Sequence, residues 1–214
     1  PNIIICVAIG NFSENLLLNT VNLAGNNLTE LNIEPNNNIT TLKLAVNDLT
    51  NIVGLNDLEF LSVLDVGNNE ISTLDVSNNP ILSILEANNN NLTSLDLGNN
   101  AQLSVLEANG NDLTSLDLSG NPGLLQVKLR NNNLSTLDLR NGNNMAITSQ
   151  NLDLENNANL TCVSVDAVSY AAANFTRIDS QTAFSNDCAN PNQPNEAPNA
   201  VCKNITIALN DDGE

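Results

Sequence analysis

The sequence predicts a β-rich solenoid of stacked coils, and two observations carry that prediction. Leu74, Leu95, Leu116 and Leu137 recur at a strict spacing of 21 residues, and Leu64, Leu85, Leu106 and Val127 recur at the same spacing about half a period away. Each sits in a short apolar–polar–apolar triplet such as Leu74-Asp75-Val76, and a period of two is that of a strand with one face buried. A fixed period of roughly 20–30 residues marks a repeat architecture, whose coils bury their apolar side only against their neighbours.

Bulk composition agrees and narrows the function. Of 214 residues, 41% are hydrophobic but only 2% aromatic, which suits a thin interior of layered aliphatic side chains. Lys and Arg total 6 against 24 Asp and Glu, with no His, for a formal charge of -18. Little is present to neutralise phosphates, so nucleic acid is excluded as a partner, and anionic membranes are disfavoured. Direct membrane insertion is not expected, because the apolar opening run is too short to span a bilayer. Cations, neutral polysaccharides and basic protein surfaces remain, and a monomer is the expected state.

The elements follow in order. Residues 1–17 carry Ile3, Ile4, Ile5, Val7 and Ile9 without the repeat's timing. They are expected to form an N-terminal cap, since an uncapped coil would expose its leucines. The solenoid is expected over 18–165. One register of apolar pairs runs Val21/Leu23, Leu42/Leu44, Leu64/Val66, Leu85/Ala87, Leu106/Ala108 and Val127/Leu129. The other runs Leu31/Ile33, Leu74/Val76, Leu95/Leu97, Leu116/Leu118 and Leu137/Leu139, with Ile52/Gly54 an irregular member. Every coil should therefore give two short strands, one to each of two parallel sheets.

Asparagine is expected to turn the corners. Asn26, Asn36, Asn47, Asn69, Asn79, Asn90, Asn100, Asn111, Asn121 and Asn132 each lie three residues past the second apolar position of a half-coil. Asparagine satisfies local backbone groups and tolerates unusual dihedrals, so two structural ladders are expected inside the corners. The timing then slips over 140–150, RNGNNMAITSQ, an insertion of about four residues that should form a loop on one edge.

Cys162 and Cys188 bracket the segment after the last repeat and are expected to close a disulfide there, in an oxidising compartment. Cys6 is read as buried and reduced, or paired outside this stretch. Tyr170, Phe175 and Phe184 fall in 166–188 and are expected to cover the last coil. A proline- and asparagine-rich linker is expected over 189–199. With no His and no Cys-x-x-Cys pair, zinc and redox chemistry are not supported.

The segment LTSLDLGNNAQLSVLEANGND, residues 92–112, carries the pattern Leu-x-x-Leu-x-Leu-x-x-Asn twice in 21 residues. Here the sequence resembles the bacterial leucine-rich repeat family, in particular the short nested class of secreted and surface proteins of marine Bacteroidetes. The resemblance covers roughly 18–165. It implies a stacked coil with parallel strands, a role in protein or glycan binding, adhesion or scaffolding, and no catalytic machinery. Because both half-coils read as strands, a straight prism is expected in place of a deep horseshoe. Residues 200–214 resemble the first strand of a hyalin-repeat or immunoglobulin-like module, in which case Cys202 would pair beyond Glu214.

Two outward columns are the candidate surfaces. One shows Asp75, Asp96, Asp117 and Asp138, flanked by Thr73, Ser94, Ser115 and Thr136. Carboxylates and hydroxyls favour calcium, so Ca2+ is the one ion considered, against a plain solvated face. The other column shows Asp65, Glu86, Glu107 and Lys128 beside Val63, Ile84 and Val105. Three aliphatics beside an acidic row read either as a ridge for a protein or polysaccharide partner or as strand-favouring packing. The function expected is thus a non-catalytic extracellular or cell-surface binding or adhesion module. The alternative is a spacer within a larger secreted or surface protein.

Overall fold

The computed structural model describes residues 18–33 and 38–189. The expectations for the 1–17 cap, Asn36, Cys6, Cys202 and the 200–214 strand lie outside the described residues, as does all but the first residue of the 189–199 linker. In chain order the strands are β1 (Thr20–Asn22), β2 (Thr41–Lys43), β3 (Val63–Asp65), β4 (Ile84–Glu86), β5 (Val105–Glu107), β6 (Ser115–Asp117), β7 (Gln126–Lys128), β8 (Thr136–Asp138), β9 (Leu152–Asp153), β10 (Cys162–Ser164) and β11 (Ala183–Ser185). Seven form one parallel sheet, β1-β2-β3-β4-β5-β7-β9, and four form a second, β11-β10-β8-β6. From β5 to β10 the chain alternates between the sheets, as the two registers of apolar pairs require, whereas β1 to β5 all lie in the first.

The leucines keep time because each coil buries one apolar layer. Leu64, Leu85, Leu106 and Val127 are paired strand to strand and fully buried. A buried aliphatic side chain contributes about 1.5–3 kcal/mol, and every coil repeats that contribution. Within the second register the sheet is shorter than expected. Strand pairing there begins at β6, and Leu74 and Leu95 belong to half-coils without a named strand. Leu74 is 9% exposed and Leu95 8%, against 2% for Leu137 where the strands are paired. Coils held by only one sheet leave the opposite leucines slightly open to water.

Both asparagine positions in each corner have a physical reason. At the corner after the first sheet, Asn68, Asn89, Asn131 and Asn156 take left-handed φ of 54–62°, as does Gly110 at 65°. The next residue turns inward. Asn90 Nδ2 donates to Val66 O of the preceding coil at 2.9 Å and to Ala87 O at 3.3 Å, while Asn90 Oδ1 accepts from Ile71 N at 3.0 Å. Asn47, Asn69, Asn111 and Asn132 repeat this arrangement. Asn157, displaced from the 21-residue period by the insertion, continues it. Each amide thus staples its coil to the one before.

The second corner is built differently. Asn79, Asn100 and Asn121 each open a pair of tight turns, as in Asn100 N to Leu97 O and Leu103 N to Asn100 O. Asn100 Nδ2 donates to Val76 O and Asn79 O, and Asn121 Nδ2 to Leu97 O and Asn100 O. Their buried Oδ1 atoms accept no hydrogen bond. One ladder uses both ends of the carboxamide, the other only the donor end.

The irregular members have local causes. Gly54 sits at φ 87°, and a Cβ there would meet Ile33 O at 1.9 Å, so the coil closes only with glycine. The same half-coil bridges through Val53 to Asn32 of the coil before and buries Leu55 instead. The 140–150 insertion folds as a 3-10 turn over Asn144–Ala146, with Ile147 buried and Met145 exposed. Beyond 165 the backbone ladder continues, since β11 pairs with β10 and Leu154 N donates to Arg177 O. Helix α1 (Val168–Asn174) covers the end, with Tyr170, Phe175 and Phe184 meeting edge to face at 5.8 and 5.7 Å. Cys162 and Cys188 are disulfide-bonded.

Two stability measurements follow. Val46 holds left-handed φ of 61° while 55% exposed, so V46N should raise the unfolding free energy by about 1 kcal/mol; a loss would contradict the strain. N90A leaves Ile71 N without its acceptor and removes one of two amide donors from Val66 O and from Ala87 O, and should cost about 2 kcal/mol. N100A, which also removes an unpartnered acceptor, should cost about half as much; denaturant titration decides the ranking.

Candidate functional site

Because paired strands are in register, each outward position becomes a column. On the seven-stranded sheet, Val63, Ile84 and Val105 align, with Thr41 before and Gln126 after. These aliphatics do not face water freely, as the sequence suggested; they are half-buried. Strands about 4.8 Å apart let each shield the next. Two residues on, Asp65, Glu86 and Glu107 align, with Lys43 at one end and Lys128 at the other.

Stacked carboxylates at that spacing repel by roughly 3 kcal/mol at an effective dielectric of 20, before salt and exposure reduce it. Burial, then the charges of Asp65 and Glu107, push the Glu86 carboxyl above its ordinary range, offset in part by Lys43. Glu107 is tied down, accepting from Gln126 Nε2 at 2.6 Å and Asn88 Nδ2 at 2.9 Å. Burial, then Arg177, pull the Lys128 ammonium below its usual range, with Asp153 and Glu107 opposing. Asp153 is buried and pairs with Arg177 at 2.5 Å.

The other face is a groove of about 590 Å³ over the outer side of the four-stranded sheet. Its floor carries Ser94 and Asp96, Ser115 and Asp117, Thr136 and Asp138, then Thr161 and Ser164. Asp187, Cys188 and Ala189 wall one side, held by the disulfide and by Arg140 Nη1 donating to Asn186 O at 3.2 Å. Arg140 Nε also donates to Asp138 Oδ1 at 3.0 Å, and its Nη2 pairs with Asp138 Oδ2 at 2.5 Å. Asp75 lies further along the same face, beside a smaller groove of about 240 Å³.

The aspartates of this column have a structural task that the sequence reading missed. Asp75, Asp96, Asp117 and Asp138 each accept a hydrogen bond through Oδ1 from the backbone N–H two residues on, at 2.9–3.0 Å. Each therefore caps its own turn, and the signal was the constant Asp placed just before every second corner. The Ser77 backbone N–H, then its hydroxyl and Asn56, hold the Asp75 carboxyl below its usual range. Side-chain hydrogen bonds from Arg140 do the same to Asp138, against burial. Asp75 Oδ2 also accepts from Asn56 Nδ2 at 3.0 Å and Asp138 Oδ2 from Arg140 Nε at 3.1 Å, whereas Asp96 and Asp117 keep Oδ2 outside these bonds. Among the described residues, no three His, Cys, Asp or Glu side chains converge as a metal-holding group. Nor is any helix there long and apolar enough to cross a membrane.

This architecture is a leucine-rich-repeat-like solenoid, non-globular in plan and built from 21-residue coils. Solved structures of the same kind include the functional domain of InlJ from Listeria monocytogenes, which includes a cysteine ladder. It matches at 27% identity and a TM-score of 0.64, over 77% of this chain and 38% of that one. A leucine-rich repeat protein of Leptospira interrogans matches at 21% identity and a TM-score of 0.54, over 79% and 50%. An internalin, InlF, from Listeria monocytogenes matches at 18% and 0.53, over 81% and 58%. The last two bear on the fold alone, and the chain spans less than two thirds of all three. No protein-family profile matches the chain, and no curated protein does.

The two carboxylates should move stability with pH in opposite senses. A raised folded value means that ionised Glu86 costs stability at neutral pH and that the cost disappears below its ordinary 4.5. E86Q should therefore raise the melting temperature at pH 7, with the gain vanishing on acidification. Asp138, held low, contributes stability at neutral pH that is lost as pH falls through its folded value. D138N should lower the melting temperature at pH 7 and converge with the parent in acid. A pH-independent difference for either would contradict the assignment.

Proposed function

We propose that this chain is a non-catalytic recognition module of an extracellular or cell-surface protein, binding a protein or polysaccharide partner. The observation that carries the reading is the groove of about 590 Å³, whose floor takes a carboxylate and a hydroxyl from each of several successive coils. A surface of identical, rigidly spaced groups suits recognition of an extended or repeating partner. The Cys162–Cys188 disulfide supports an oxidising compartment. The likeness to the InlJ functional domain supports a place among bacterial surface leucine-rich repeat proteins.

Hydrolytic or transfer chemistry has no support. The chain lacks histidine, and the groove carboxylates are engaged as turn caps, with Asp138 also paired with Arg140 and held below its usual range, so none is placed as a general acid. The ridge of Val63, Ile84 and Val105, with Asp65, Glu86 and Glu107, is the second candidate surface of the same module. Calcium on the Asp75, Asp96, Asp117 and Asp138 column is a further proposal, in which Asp96 and Asp117 offer the oxygens not already bonded to Asn56 or Arg140 to an ion bridged by the partner.

The test is saturable binding of the full chain to immobilised polysaccharides and extracellular matrix proteins, with and without calcium. Two variants locate the surface: V63T/I84T/V105T for the ridge and D75N/D96N/D117N/D138N for the column, the amides keeping the turn caps. Capture lost in one variant and kept in the other supports recognition through that face, and a calcium-dependent loss supports the ion. Silence across the panel at high concentration would contradict recognition and favour a spacer.

A further inference from the structure

We propose that the chain forms a weak antiparallel dimer through the second-corner edge of the solenoid, with a second copy of itself as the partner. Four of the six exposed large hydrophobic side chains among the described residues, Phe60, Ile81, Leu125 and Met145, lie on this edge. Its turns share one geometry. Leu61, Leu82, Leu103 and Leu124 each donate a backbone N–H to the carbonyl three residues back and are buried. Phe60, Ile81, Gln102 and Gly123 therefore hold one place in successive turns. Ser83 N to Ser62 O, Ser104 N to Ser83 O and Leu125 N to Ser104 O run as a ladder beside them. The 140–150 insertion adds Met145 in the next coil, where Asn143 Nδ2 donates to Pro122 O at 3.0 Å.

Charge leaves this edge as the place where two copies can meet. The chain carries a formal charge of -18, and self-repulsion of that size is what leads composition alone to a monomer. Yet residues 77–83, 98–104, 119–125 and 141–150 contain no charged side chain. Asp57 and Glu59 bring charge only at the Phe60 end. Both sheet faces carry rows of carboxylates instead, and the first corner carries Asp48, Glu70 and Asp112. A basic partner has nothing to pair with along the neutral edge, whereas another copy meets its least repulsive surface there.

The order of side chains along the edge is self-complementary. A two-fold axis at Gln102, perpendicular to the stacking direction, sets coil against coil in reverse order. Ile81 of one copy then faces Gly123 of the other, where the missing side chain leaves a notch between Pro122 and Leu125. Gln102 meets Gln102, and a carboxamide both donates to and accepts from another. Phe60 meets the Met145 turn, a thioether against an aromatic ring. A parallel pair would instead set Ile81 on Ile81 and leave Gly123 on Gly123. Five coils about 4.8 Å apart make an edge only about 20 Å long. That falls short of the roughly 800 Å² per partner of a standard interface, so the dimer is weak.

Sedimentation equilibrium of the full chain, from micromolar to millimolar concentration, reads the association. The average mass should rise toward twice the 22.7 kDa of one chain. The rise should be steeper at about 1 M salt than at about 0.1 M, because salt screens the charges of the two copies. I81E and L125E should each weaken association at least tenfold. V53E puts the same charge on an exposed side chain away from this edge and should weaken it less than twofold. Cross-linking reads the orientation. Q102C should form a disulfide-linked pair on mild oxidation, above the background that Cys6 and Cys202 set in the parent, and F60C should not.

A single mass across all concentrations and both salts would overturn the inference. So would association that weakens with salt, or equal weakening by V53E and I81E. Linkage of F60C as efficient as that of Q102C, or none in Q102C beyond the parent, would overturn the antiparallel pairing. None of these outcomes bears on capture of a ligand by the groove, so the recognition reading stands or falls separately.

Discussion

The constraint on which this molecule depends is the inward-turned asparagine amide at each corner. Strands of three residues cannot hold a solenoid by themselves, because every coil must bend back through its own interior. Bending buries backbone N–H and C=O groups that strand pairing does not reach, and leaving one unmade costs about 1–3 kcal/mol. Asn47, Asn69, Asn90, Asn111, Asn132 and Asn157 answer that cost with donor and acceptor at once, each bonded to the preceding coil. They lock successive coils at one spacing, and every other regularity follows from it.

Locked spacing turns single residues into columns. The Asp that caps one turn becomes a row of turn caps, and the same row becomes an acidic face. On one sheet the chain relieves this crowding with Lys43 and Lys128, and with the Arg177–Asp153 pair near the end. On the other, among the described residues, Arg140 alone intervenes, beside the coil that carries the disulfide. The seven-stranded sheet shields its own aliphatic row, whereas the four-stranded sheet leaves a channel. A recognition surface is most economically made where geometry has already left space and charge unmet.

Much of this was legible in the sequence, for a physical reason. Burial of one leucine layer per coil forces strict timing, so both strand registers and the inward asparagines stand out at constant offsets. The Cys162–Cys188 link followed from its bracketing of the last coil. Other features resisted because they depend on distances between coils. The absence of strand pairing at Leu74 and Leu95 reflects how closely neighbouring coils approach, which no residue pattern records. Asn157 escaped because the insertion shifts its offset. The wall of the groove escaped because Arg140 and Asn186 are 46 residues apart. The half-burial of Val63, Ile84 and Val105 needed the in-register partners, and the capping role of Asp96 was hidden behind its exposure.

The central claim is that recognition resides in the groove of the four-stranded sheet and not on the aliphatic ridge. Hydrogen exchange of the full chain, free and bound to a captured partner, tests it most directly. The account predicts slowed exchange confined to 94–98, 115–119, 136–140 and 161–164, together with the 186–189 wall. Slowing over 41–43, 63–65, 84–86 and 105–107, with the groove unchanged, would contradict it.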